Sequence, residues 1–309
     1  MSRKVRNSKS PEQRREETER IHQSLTDQVE RLNSSEEWMS FLATMSRFHN
    51  YSINNLLLIQ AQCPGATRVA GFRKWMDMGR SVKKGERSIK IYGFAQRKLT
   101  EEEIQQAGDS ISQYRRNSKG DPVVTYFPIW SVFDVSQTQP LDPDSDDQFI
   151  DAEHFARKLE GEDHADIYRR TSEWVVSELG YSVERRSIQG EANGYTIPDT
   201  REVVVRDDLS PAQAAKTMLH EAAHVILHSE DLEGATLHRG ATEVEAESVA
   251  YVVAASLELD TSSYSVGYVT GWSGGDMDLM RTTAERVLGA AHRIIDALQD
   301  EGKEEPAAA

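Results

Sequence analysis

Residues 211–228, PAQAAKTMLHEAAHVILH, restrict the fold of this chain more than any other segment. Ser210, Pro211 and Gln213 supply a cap, a first-turn proline and a glutamine three residues after the cap, so a helix starts here. Most later positions are apolar: Ala222, Ala223, Val225, Ile226 and Leu227 surround His220, Glu221, His224 and His228. A helix apolar on nearly all sides is buried, and imidazoles and a carboxylate carried inside need partners. The fold must therefore wrap other elements around this helix and bring polar groups to it.

Residues four apart share one helix face, about 6 Å along the axis, so His220 and His224 can converge on a single ion. Glu221 then lies beside that ion, where it takes a proton from the attacking water and returns it to a leaving amine. His228 stands eight residues from His220, roughly 12 Å of rise, too far to join the same ion on an unbroken helix. It is assigned to packing or to supporting a ligand through a hydrogen bond. The chain has one cysteine, Cys63, so a metal must be held by histidines and carboxylates.

The sequence TEVEAESVAYVVAA, starting at Thr242, supplies the remaining carboxylates. Glu243 and Glu247 share a helix face and Glu245 points elsewhere. Glu243 is assigned as third ligand, and Glu247 as acceptor for the second nitrogen of a ligating histidine; the reverse assignment is the alternative. One zinc ion so held polarises an amide carbonyl for hydrolysis. His238, Tyr251, Tyr264 and Tyr268 are candidates to stabilise the oxyanion. The run EVVVR, residues 202–206, is a candidate for strand addition by an extended peptide.

Charge divides the chain. Residues 1–140 hold 22 Lys and Arg against 16 Asp and Glu, a net of +6; the remainder holds 14 against 35, a net of −21. A basic half on an acidic chain points to a polyanionic partner. Within residues 68–90, Arg68, Arg73, Lys74, Arg80, Lys83, Lys84, Arg87 and Lys90 face only Asp77 and Glu86, with Phe72 and Trp75 interleaved. Cations that track phosphates and rings that stack bases suit single-stranded DNA, and Trp75 is taken as a stacking residue. The alternative makes Phe72 and Trp75 core residues and the lysines a solvated face.

The expected organisation follows. Residues 1–140 form an α+β domain, with 1–10 flexible and 101–121 a solvated insertion. The stretch 141–150, rich in Pro, Asp and Ser, is a linker; 151–302 form a second domain, mostly helical with a small sheet, and 303–309 a disordered tail. No apolar run reaches the roughly 20 residues of a membrane span and the basic start leads into no apolar segment, so a cytoplasmic protein without a membrane partner is expected.

Residues 51–94, from YSINNLLLIQAQCPGATRVAGF to IKIYGF, together with VFDVSQTQP at 132–140, closely resemble the N-terminal domain of ArdC-type antirestriction proteins. HEAAH with EVEAE is similar to the metal-binding pattern of that family and of ImmA/IrrE-type regulatory peptidases. The resemblance implies a single-stranded-DNA-binding domain joined to a gluzincin-like metallopeptidase domain, with metal on His220, His224 and Glu243 and Glu221 as base. It implies protection of transferred DNA from restriction. Two further readings are a DNA-shielding protein whose zinc is structural, and a regulatory protease that cleaves a repressor.

Overall fold

The computed structural model describes residues 10–142, 163, 166–229, 239–257, 259, 261 and 276–300. The stretches expected to be flexible or linking, 1–9, 143–150 and 303–309, lie outside the described residues.

The N-terminal half opens with helices α1 (Pro11–Arg31), α2 (Ser35–Arg47) and α3 (Ile53–Gln62). Ser10 and Gln13 cap α1 reciprocally, and Ser34 caps α2 through the Glu37 amide. Short strands follow around a six-residue helix: β1 (Val69–Gly71), α4 (Phe72–Asp77), β2 (Arg80–Val82), β3 (Ile89–Tyr92), β4 (Ala95–Lys98), β5 (Val123–Tyr126), β6 (Ile129–Asp134) and β7 (Thr138–Pro140). They make an antiparallel sheet β1-β6-β3 and the pairs β2-β7 and β4-β5. Two amide side chains on α3 close the outer edge of β3: Asn55 bonds both the N–H and the C=O of Tyr92, and Gln62 does the same for Lys90. Those otherwise exposed strand groups are thereby satisfied without another strand.

The stretch expected as a solvated insertion contains helix α5 (Glu101–Ala107), started by a reciprocal cap between Thr100 and Glu103. Its side chains are exposed or half-exposed, so local capping rather than burial accounts for it.

The C-terminal half places α6 (Ile167–Leu179), β8 (Ser182–Arg186), β9 (Gly194–Ile197) and β10 (Glu202–Arg206) before α7 (Pro211–His228), α8 (Arg239–Ser256) and α9 (Met277–Asp300). Gly180 ends α6 in the left-handed conformation, φ 69°, as a glycine after a helix does. The sheet order is β8-β10-β9, parallel on one side of β10 and antiparallel on the other. The EVVVR strand is thus central, with Val203, Val204 and Val205 fully buried. The expectation that a peptide adds to it is corrected: both its edges are taken, and β9 is the edge strand.

Helix α7 lies between α6, α8, α9 and the sheet, as its apolar surface requires. The halves share one core. Helix α2 packs on α8, and the buried Trp38 indole donates to Ser248 Oγ at 2.9 Å, while Arg281 on α9 donates to Asn54 on α3. The α+β class with a mostly helical second half is as the sequence implied.

Candidate metal centre and nucleic-acid interface

Helices α7 and α8 bring His220, His224 and Glu243 together, with one ligand atom from each inside a span of 4.8 Å. The two Nε2 atoms are 3.0 Å apart, and Glu243 lies 3.4 Å from that of His220 and 3.7 Å from that of His224. Four donors held tetrahedrally at about 2.0–2.1 Å from an ion stand about 3.3 Å from one another, so these spacings fit a divalent metal. The donor set, two imidazoles and a half-exposed carboxylate, leaves a coordination position open toward solvent.

Each of these groups is held from another element. Glu247, one turn after Glu243, places Oε2 3.2 Å from His220 Nδ1, leaving Nε2 for the metal. Its other oxygen meets Lys216 Nζ at 3.0 Å. Burial works against charge on His220, but hydrogen bonds to Glu243 and Glu247 prevail and lift its pKa to about 9. The same bonds from His220, with those from His224, hold the Glu243 carboxyl far below the usual range. Glu247 is lowered despite its burial, by His220 and Lys216.

Glu221 faces the sheet. Thr196 on β9 donates to its Oε2 at 2.8 Å, and burial pushes its pKa up against the opposing pull of His220 and Thr196. Gly194, two residues earlier on β9, makes room for it: a Cβ there would stand 2.9 Å from Glu221 Oε1 and 2.7 Å from the Thr217 methyl. A buried carboxyl with a raised pKa beside a candidate metal is suited to proton transfer near neutral pH.

His228 and Glu245 lie apart from the metal ligands. Glu245, 7% exposed at its side chain, pairs with Arg286 of α9 at 3.1 Å and approaches His228 at 3.7 Å. Arg286 also donates to the Leu227 carbonyl, satisfying a group at the end of α7. The His228 ring packs 5.3 Å from that of His224. Of the oxyanion candidates, Tyr251 lies half-buried one turn after Glu247, while His238, Tyr264 and Tyr268 lie outside the described residues.

Lys216, Thr196, Gly194 and Arg286 did not emerge from the sequence. Lys216 had a signal, since it stands four residues before His220 on the same face. The other three are brought in by the sheet and α9, which no local spacing reveals.

In the N-terminal half the candidate DNA residues separate by burial. Arg68, Arg73, Lys74, Lys83, Lys84 and Arg87 are exposed. Lys90 is half-buried, with Nζ 2.6 Å from Ser131 Oγ and 3.9 Å from Glu17. Trp75 and Arg80 correct the expectation. Trp75 is wholly buried under β6 and donates to the Phe133 carbonyl at 2.8 Å, so no face is open to a base. Arg80 is 5% exposed and bonds Thr138 through both its hydroxyl and its carbonyl. Helix α4 is amphipathic, and Trp75 is on its inner side while Phe72 is on its outer side, 52% exposed.

Comparison with known proteins joins the two halves. Residues 12–133 match the model for the N-terminal domain of anti-restriction factor ArdC, and residues 176–262 match the IrrE N-terminal-like domain of the M78 peptidases. The chain has the ArdC-type architecture. Solved structures agree: the antirestriction ArdC protein of plasmid R388 matches in a metal-free form, at TM-score 0.52 and 17% identity over 89% of this chain and 97% of that one. Its Mn(II)-bound form matches at TM-score 0.51 and 18% identity, over 91% and 99%. At such identities the likeness concerns the fold. An uncharacterized protein of Bacillus anthracis is 25% identical over 95% of this ArdC-type chain, which spans about half the length of that relative. No described helix is long and apolar enough to cross a membrane.

Proposed function

We propose that this ArdC-type chain binds single-stranded DNA through its basic N-terminal half and cleaves a peptide bond at a zinc centre on His220, His224 and Glu243, protecting incoming DNA from restriction. The convergence of those three ligand atoms within 4.8 Å, with Glu221 buried alongside, carries the reading. Bound there, a divalent ion supplies Lewis acidity toward a carbonyl oxygen. The Mn(II) bound by the R388 protein supports a divalent ion at this centre, and two imidazoles with a carboxylate suit zinc.

The chain's own groups account for the rest. Glu221 accepts a proton from the attacking water and delivers it to the amine that leaves. Thr196 fixes the direction of that carboxylate, and Glu247, held by Lys216, fixes the His220 ring. The edge strand β9 offers its unpaired side to an extended peptide. Exposed Arg68, Arg73, Lys74, Lys83, Lys84 and Arg87 supply the attraction for phosphates. The IrrE-like match favours one variation, in which the peptide belongs to a repressor and the basic half only brings the chain to DNA.

Metal analysis, cleavage and restriction protection of variants test the reading. Glu243→Ala is expected to lose the metal, whereas Glu245→Gln keeps it; equal contents would reject the ligand set. Glu221→Gln is expected to keep metal and DNA affinity and to lose cleavage by a factor of about 10²–10⁴. Wild-type cleavage by that variant would remove Glu221 from the mechanism. Full restriction protection by a cleavage-dead Glu221→Gln would favour shielding by binding alone.

A further inference from the structure

Four of the most exposed large side chains occupy one corner of the N-terminal half: Phe94 (56%), Tyr126 (46%), Phe127 (63%) and Trp130 (49%). Single exposed apolar residues are ordinary, but a contiguous group marks a contact surface. Contiguity is shown by the backbone and the rings. Gly93 donates to the Pro128 carbonyl at 2.7 Å, Ala95 pairs with Tyr126, and the Phe94 and Phe127 rings meet edge to face at 6.2 Å.

The corner is also fixed in place. A Cβ at Gly93 would lie 2.3 Å from the Trp130 ring, so the missing side chain is what lets the indole lie against the β3–β4 turn. The rings are preorganised, with half or more of each surface left to solvent. All four are aromatic, which folding alone does not demand of exposed positions.

Charge identifies the occupant. Gly71 pairs with Val132, two residues and about 7 Å along β6 from Trp130. Immediately after Gly71 come exposed Phe72, Arg73 and Lys74, with one acidic residue, Asp77, in the same helix. Flat rings bordered by exposed cations match unpaired bases on a phosphate chain. At six residues, α4 is too short to act as a recognition helix for a duplex.

We infer that the corner formed by Phe94, Tyr126, Phe127 and Trp130 is the platform on which single-stranded DNA bases stack, with Arg73 and Lys74 on its border. This rests on the DNA reading above and gives it a surface distinct from buried Trp75. Titration of a labelled oligothymidylate of about 16 nucleotides with the full chain tests it. Phe127→Ala and Phe94→Ala should each bind roughly 5- to 150-fold more weakly with the salt dependence unchanged. Oligothymidylate should quench tryptophan emission, and Trp130→Phe should remove the quenched component. Both alanine positions are exposed, so circular dichroism should match the wild type. If the wild type binds and these variants bind within about twofold of it, the platform is wrong while the DNA reading stands. If the wild type does not bind, both fall. Wild-type binding by Phe127→Ala together with loss of self-association in sedimentation would make the corner a contact between copies, and overturn the inference.

Discussion

Helices α7 and α4 both carry rings with polar tips, and they use them differently. In α7, eighteen residues long, His220 reaches Glu243 and Glu247 on α8, and its neighbour Glu221 reaches Thr196 on β9. In α4, six residues long, the Trp75 indole ends on the Phe133 carbonyl, a backbone group already part of the sheet. A buried polar tip that meets ionisable side chains from other elements belongs to a chemical site. One that meets only backbone is an anchor, and the surface for ligands lies elsewhere.

The largest expected effect tests the anchor. Trp75→Ala should cost about 3–5 kcal/mol in a denaturant titration, against less than about 0.5 kcal/mol for Phe127→Ala. A Trp75→Ala protein with wild-type stability and lost DNA affinity would reverse the contrast. Next, Arg286→Ala leaves Glu245 buried with its main cation removed. A loss of about 3 kcal/mol is expected, with metal content per folded molecule unchanged. Reduced metal in the folded variant would bring Glu245 into the centre itself. Thr196→Val should cost about 1–3 kcal/mol, because the Glu221 carboxyl then loses a partner inside the protein. Unchanged stability would show that water replaces the hydroxyl.

The smallest effect is a pH dependence. With its folded pKa raised from an ordinary 6.5 to about 9, His220 stabilises the metal-free protein fully below pH 6.5, and that contribution fades as pH rises through about 9. Proton and metal compete for the same nitrogen, so metal affinity should rise over that interval. The measurement is thermal unfolding of metal-free protein from pH 6 to 10, with Glu243→Gln as comparison. An identical slope in both would separate the shift from the Glu243 contact.

What the sequence disclosed follows from the same contrast. On a long helix, a spacing of four fixes which side chains are neighbours. His220, His224, Glu243 and Glu247 were therefore legible as two faces that needed only to meet. Capping at Ser10 and Ser210, the stop at Gly180 and the 194–206 hairpin were legible because each is decided within a few residues. The side of α4 on which Trp75 lies was not, because six residues give too little periodicity to define a buried stripe. The central position of EVVVR was hidden as well, since β8 reaches it from some twenty residues upstream. The aromatic corner is assembled from two chain segments about thirty residues apart, and Gly93 gives no sign in sequence that Trp130 fills its side.

The bond from Trp38 to Ser248 sets the terms on which the halves can be divided. Ser248 follows Glu247 directly, on the helix that also carries Glu243, and the helix lying on its far side is α2 of the basic half. An excised 166–300 fragment would uncover that side of α8 and leave the Ser248 hydroxyl to water. Burial of Trp38 is itself worth roughly 1.5–3 kcal/mol. The metal centre is not portable: its back wall is encoded two hundred residues upstream, and a fragment lacking that wall reports on lost support before it reports on chemistry.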